Sequence, residues 1–98
     1  MREVFVSDTV RKKISDLRLF LVIELKLSEA AAFKRIERIR VFLASLGSPG
    51  DFSLCRFKKW HSLGYRCAVF EKNWVFAYEI IDGGVIVRDM SNVALLTE

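Results

Sequence analysis

Several residue types that function classes commonly rely on are scarce in this chain. Its 98 residues include one proline, one histidine, two cysteines and five glycines. So little proline and glycine excludes collagen-like and linker-rich architectures. Cys55 and Cys67 have no C-x-x-C spacing and no second pair, so a four-ligand zinc site cannot be built locally. Neither a metal nor a cofactor is expected. A domain of this size with an ordinary core does not need a disulfide, so both cysteines are expected to be reduced, partly buried apolar residues. No apolar run is longer than residues 19–23, which Arg18 and Glu24 close. A membrane span needs about 20 such residues, so no membrane partner is expected. The opening Met-Arg-Glu-Val lacks a basic-then-apolar signal pattern, which points to a cytoplasmic protein.

What is present is enough for one folded unit. A hydrophobic share of 52% can fill a core, and the length suits a single domain over residues 1–98. Sixteen Lys and Arg against twelve Asp and Glu leave a formal charge of +4. That excess permits an acidic partner without demanding one.

The hydrophobic period changes along the chain. Glu3–Val6 alternates, with Val4 and Val6 on one face. Ser7 and Asp8 supply N-cap chemistry. Val10, Ile14, Leu17, Leu21 and Leu25 then follow at helical spacing. Residues 19–23 are apolar nearly all round, so this part of the helix should be covered on more than one side, by the fold or by a partner. Ser28 caps a second helix, with Ala32, Ile36, Ile39, Leu43 and Leu46 as its stripe, Gly47 as a C-cap and Pro49 as a stop. Two helices so closely joined form an antiparallel hairpin. After Gly50 the period becomes two. Residues 65–70, 74–81 and 85–90 read as strands, separated by Lys72-Asn73 and Asp82-Gly83-Gly84. Residues 54–59 are a candidate for a further strand, with 61–64 as its turn. The tail, 91–98, either crosses a sheet face or stays loose. The fold class expected is α+β: an N-terminal strand, a helical hairpin and an antiparallel β-meander, with the helices on one sheet face.

This order resembles the RelE/ParE family of toxins from type II toxin–antitoxin systems. The features that carry the resemblance are the strand at Val4–Val6, the hairpin over residues 8–46 and the break Leu46-Gly47-Ser48-Pro49-Gly50. Arg66 follows in a strand, then Trp74-Val75-Phe76-Ala77-Tyr78-Glu79-Ile80 and Gly84-Val85-Ile86-Val87-Arg88-Asp89-Met90. Two registers compete for the family's Tyr-Arg-x-x-Tyr-like strand. One ends on Tyr78, with Val75 where RNA-cleaving members carry an arginine. The other uses Tyr65-Arg66, with Val69 in place of the final tyrosine, and leaves an extra strand. The first is preferred because it uses the chain without remainder.

The resemblance implies a cognate antitoxin as partner and, as target, either DNA gyrase or the ribosome with its mRNA; a homodimer stays open. A ParE-like member would bind gyrase without a catalytic set. A RelE-like member would cleave mRNA on the ribosome, with Arg66, Arg88, Lys58 or Lys59 holding phosphate and His61 as the proton-transfer candidate. The run Arg88-Asp89-Met90-Ser91-Asn92 has no Tyr or His after Tyr78, so that set is incomplete and the ParE-like branch leads. An inactive, partner-binding member is a third reading, and whether the chain is an enzyme stays open. The antitoxin is expected on Leu19, Phe20, Val22 and Ile23.

Other positions have two readings each. Lys34, Arg35, Arg38 and Arg40 form either a nucleic-acid stripe or a solvated helix face. Arg56-Phe57-Lys58-Lys59-Trp60-His61 is either a single-strand RNA site or a lysine-guarded strand edge. Arg66 and Arg88 either meet across the meander around a phosphate or pair with acids such as Glu79 or Asp89. Tyr78, Trp60 and Trp74 read as packing residues.

Overall fold

The computed structural model describes residues 2–96. Strand β1 (Glu3–Val6) leads into helix α1 (Asp8–Ile23), then α2 (Glu29–Ala44) and a 3-10 turn at Ser45–Gly47. An irregular segment containing one helical turn, α3 (Lys58–His61), precedes β2 (Arg66–Phe70), β3 (Trp74–Ile81) and β4 (Gly84–Asn92). Both long helices begin where a serine can satisfy an orphan amide. Ser7 Oγ accepts from Val10 N at 3.3 Å, and Ser28 Oγ accepts from Ala31 N at 3.1 Å.

The sheet order is β1-β4-β3-β2. The last three strands form the expected antiparallel meander, and β1 lies parallel beside β4, so the sheet is mixed. The β3–β4 turn is Asp82-Gly83, with Gly83 at φ +76°. Gly84 belongs to the strand rather than the turn, and its lack of a Cβ lets the Glu3 carbonyl lie against it. A β-bulge interrupts β4: Tyr78 pairs with Val87 and Ala77 with Asp89, which leaves Arg88 as the extra residue.

Alternation along β3 separates two cores. Phe76 and Tyr78 face the helices and join Val10, Leu21, Ile36, Ile39, Leu43, Val85, Val87 and Met90 in the main core. Val75 and Ala77 face the other way and are covered by Trp60 and Cys55 from the irregular segment. Trp60, Trp74 and Tyr78 are all packing residues, as their sequence reading suggested.

Two expectations need correction and two are narrowed. Residues 54–59 are not a strand: only Leu54 bridges to Arg66, and Lys58–His61 coils into one turn that sets Trp60 over Val75 and Ala77. The cysteines are not reduced but joined to each other. Cys67 N donates to Ser53 O and Cys55 N to Tyr65 O, which lays residues 53–55 beside β2 and brings the two Cα atoms to 4.8 Å. The tail is not loose: Ser91 and Asn92 extend β4, Val93–Leu95 form a 3-10 turn, and Leu96 reaches the face of the sheet covered by Trp60. Thr97 and Glu98 lie outside the described residues. Finally, the fold covers the second half of α1 on one side only, since Leu21 alone is buried there while Leu19, Phe20 and Ile23 stay exposed, which leaves the other side to a partner.

Candidate protein-docking site

The exposed end of α1 adjoins a groove. Leu17 and Phe20 form one wall, Trp74 and Met90 the floor, and Ala94 and Leu95 the far lip, around a volume of about 540 Å³. The groove exists because α1 crosses the lower half of β4 beyond the end of β1, where no neighbouring strand fills the space. The four residues expected to carry a partner divide unequally. Leu19, Phe20 and Ile23 are 48%, 48% and 61% exposed, whereas Val22 packs against the main core. Trp74, Met90 and Leu95 were not anticipated as lining residues. Only pairing of β4 against β3, with α1 above, brings them beside Phe20.

The strand edge bordering this groove is closed to pairing. Ser7 Oγ donates to Arg88 O at 3.1 Å, and Lys13 Nζ donates to Met90 O at 3.1 Å. Asp89 Oδ1 accepts from Met90 N at 2.8 Å, and Ser91 Oγ donates to Asn92 O at 3.1 Å. Side chains therefore occupy the main-chain groups that a further strand would need, a common protection of edges. What the groove offers is apolar surface, suited to a helix face or to isolated side chains.

Asp89 anchors this arrangement. Lys13 Nζ lies 2.7 Å and Lys59 Nζ 3.8 Å from its carboxylate, so the strand edge is clasped from both sides of the sheet. Burial would raise the Asp89 carboxyl, but the hydrogen bonds from Lys13 and Met90 N–H outweigh it and hold the group below the usual carboxylate range.

The nuclease candidates do not converge. Arg66, paired in register with Tyr78, lies on the helix-side row and donates from Nη1 to Phe52 O at 2.7 Å. Arg88 turns to Glu79, with Nη2 at 2.9 Å from the carboxylate, so the acid-paired reading holds for it. Lys59 pairs with Asp89 and sits 5.5 Å from the Trp60 ring centre. Lys58 is in the first position of α3. His61 Nδ1 donates to Cys55 O at 2.8 Å, a bond that holds its ring against the irregular segment. Two of the cations on α2 likewise have acidic partners: Arg38 pairs with Glu71, and Arg40 lies 3.5 Å from Glu37.

One polar network had no signal in the sequence. Tyr78 is buried among apolar residues, yet its hydroxyl donates to Asp51 Oδ1 at 3.1 Å and accepts from Phe52 N at 2.9 Å. Asp51 also pairs with Arg2, whose Nε donates to Leu46 O at 3.2 Å. The Arg2 hydrogen bond lowers the Asp51 carboxyl, and burial raises the Tyr78 phenol. These contacts tie the N-terminus, the end of the hairpin and residues 51–52 together, a structural role. Among the described residues, no group of three His, Cys, Asp or Glu side chains could hold a metal ion. No helix among the described residues is long and apolar enough to cross a membrane. No family model, curated protein or solved structure matches the chain.

Proposed function

We propose that the chain is the toxin component of a type II toxin–antitoxin module, of the ParE-like kind. It inhibits growth by binding a cellular target, with DNA gyrase the first candidate, and a cognate antitoxin neutralises it. The observation that carries this reading is the exposed apolar end of α1 beside its groove: Leu19, Phe20 and Ile23 at the surface, with Phe20 also lining the groove opposite Trp74 and Met90. A contiguous apolar surface of this kind marks a protein-interaction site. The order of elements, a strand, two long helices and a three-stranded meander, with the helices on one face, supports the resemblance. The dispersal of Arg66, Arg88, Lys59 and His61 favours binding over RNA cleavage. A cytoplasmic location goes with this reading, and the Cys55–Cys67 disulfide counts against it, because thiol buffers there keep cysteines reduced.

The test is expression of the chain alone and with the product of an adjacent reading frame. Growth arrest relieved by the second protein is the expected result, together with loss of gyrase supercoiling in purified assays. Normal growth at confirmed folded expression would overturn the toxin reading. Codon-positioned cleavage of translated mRNA with intact gyrase activity would replace it with the RelE-like one. Leu19→Asp with Ile23→Asp should abolish rescue by the antitoxin while leaving growth arrest in place.

A further inference from the structure

The sheet has three stretches of edge, and they are not treated alike. The outer edge of β2 is occupied by residues 53–55 over its first part, through the Leu54–Arg66 bridge and the bond from Cys67 N to Ser53 O, while Val69 beyond them stays exposed. The lower edge of β4 is capped by Ser7, Lys13, Asp89 and Ser91, as described above. The outer edge of β1 is capped at its start, where Arg2 N donates to Gly47 O at 3.1 Å, and is open beyond that point. Glu3 N and Ser7 N bond inward to Gly83 O and Val87 O, so the alternation of the strand turns the main chain of Val4 and Val6 outward. Arg11 Nε donates to Val6 O at 3.2 Å. Val4 N–H, Val4 C=O and Val6 N–H have no partner among the described residues.

Beside this edge, on the helix side of the sheet, a groove of about 470 Å³ runs between β1 and the hairpin. Val4, Val6, Ile14 and Leu43 line its floor, and Arg11 and Arg40 stand over it. No carboxylate lines it. Glu37, the nearest acidic partner of Arg40, pairs with it only at 3.5 Å on an open helix face, where such pairs are weak and easily exchanged.

We infer that β1 accepts an extended acidic peptide segment as a fifth strand, its main chain bonded to Val4 and Val6, one apolar side chain in the groove and its carboxylates on Arg11 and Arg40. The main-chain groups supply affinity, the alternating side chain supplies fit and the arginines select the charge. A second copy of the chain fits poorly, because pairing β1 with β1 would bring a second Arg11 and Arg40 against the first with no acid between them. This site lies on the opposite edge of the hairpin from the α1 groove and does not depend on the toxin reading.

The test uses the full chain and synthetic octapeptides. One alternates Glu and Val, a second alternates Lys and Val, and a third is the Glu–Val peptide with alternate amides N-methylated. Binding is followed by fluorescence anisotropy and by amide hydrogen exchange of Val4 and Val6. The Glu–Val peptide should bind and slow exchange at both amides. The Lys–Val peptide and the Arg40→Glu variant should each weaken binding by about tenfold, the scale of one lost charge-assisted contact. N-methylation should abolish it. Equal affinity for acidic and basic peptides, no binding of the Glu–Val peptide, or protection confined to β4 would overturn the inference. So would concentration-dependent protection of Val4 and Val6 without peptide, which would assign the edge to a dimer.

Discussion

The two faces of the sheet are built by different means. On one, two capped helices lay a continuous apolar stripe across Phe76, Tyr78, Val85, Val87 and Met90. On the other, a mostly irregular segment covers Val75 and Ala77 with one large side chain, Trp60, and one covalent tie, Cys55 to Cys67. The first face is redundant, since many residues share the burial and each helix is held by several turns. The second depends mainly on those two attachments, beside the short pairing of residues 53–55 with β2 and the Lys59–Asp89 pair. A segment with few buried contacts opens at lower free energy than the core it covers, so the molecule should unfold in two tiers.

Substitution in the main core gives the largest effect that bears on this comparison. Phe76→Ala should cost about 3–5 kcal/mol in global unfolding, read by urea denaturation. Trp60→Ala removes a larger side chain, but its loss should fall mainly on the covering segment. Amide exchange over residues 53–65 should accelerate while the urea midpoint moves less than for Phe76→Ala. Equal midpoint shifts would break the distinction between the faces.

Next comes the covalent tie. Replacing both Cys55 and Cys67 by Ser should cost about 2–4 kcal/mol at most, and that cost should be concentrated in the covering segment rather than in α1 or α2. The mass of the oxidised protein should rise by two hydrogen atoms on reduction, which tests the pairing itself.

Acid should act on both faces together, because Asp89 links Lys13 on α1 to Lys59 on α3, and Asp51 links Arg2 to Tyr78. Both carboxyl groups titrate below their ordinary range in the folded chain. Each therefore stabilises the fold fully above the ordinary carboxylate value of about 4 and loses that contribution as pH falls through its lower folded value. Thermal melts should decline below that point, and Asp89→Asn should flatten part of the decline. A profile unchanged by Asp89→Asn would remove the clasp as a stabilising feature. The smallest effect should come from the open end of α1: Leu19→Asp with Ile23→Asp should shift stability by no more than about 0.5 kcal/mol per site, as surface positions do. A larger loss would mean that these side chains belong to the fold rather than to a docking surface.

Much of the helix-side architecture could be read from the residues. Ser7 and Ser28 marked both helix starts because a hydroxyl can cap only a nearby amide, and the spacing of Val10, Leu21, Ile36, Ile39 and Leu43 identified the buried stripes. Strand periodicity did the same for β2, β3 and β4, with β3 matched, β2 one residue shorter and β4 longer by one residue at its start and two at its end. The covering segment was misread because its two attachments are distant pairings. Nothing local in Cys55 indicates Cys67, and the alternation suggested for residues 54–59 gave way to one helical turn that buries Trp60. The candidate sites divided in the same way. Of the apolar run at residues 19–23 only Phe20 lines the groove, and Leu17, Trp74, Met90 and Leu95 complete it. Arg66 and Arg88 looked capable of meeting until the β4 bulge and the sheet register placed them with Phe52 and Glu79.

The sequence by itself determined which segments coil, which extend and which side of each is apolar, because caps, periods and turn residues act over a few positions. The tertiary structure alone decided that β1 lies parallel beside β4, that the cysteines meet and that three sheet edges differ in protection. It also decided which apolar residues remain at the surface. Those outcomes depend on pairings between residues far apart in the chain. Local hydrophobicity cannot specify them, because the same apolar side chain serves equally well in a core or in a groove until its neighbours are in place.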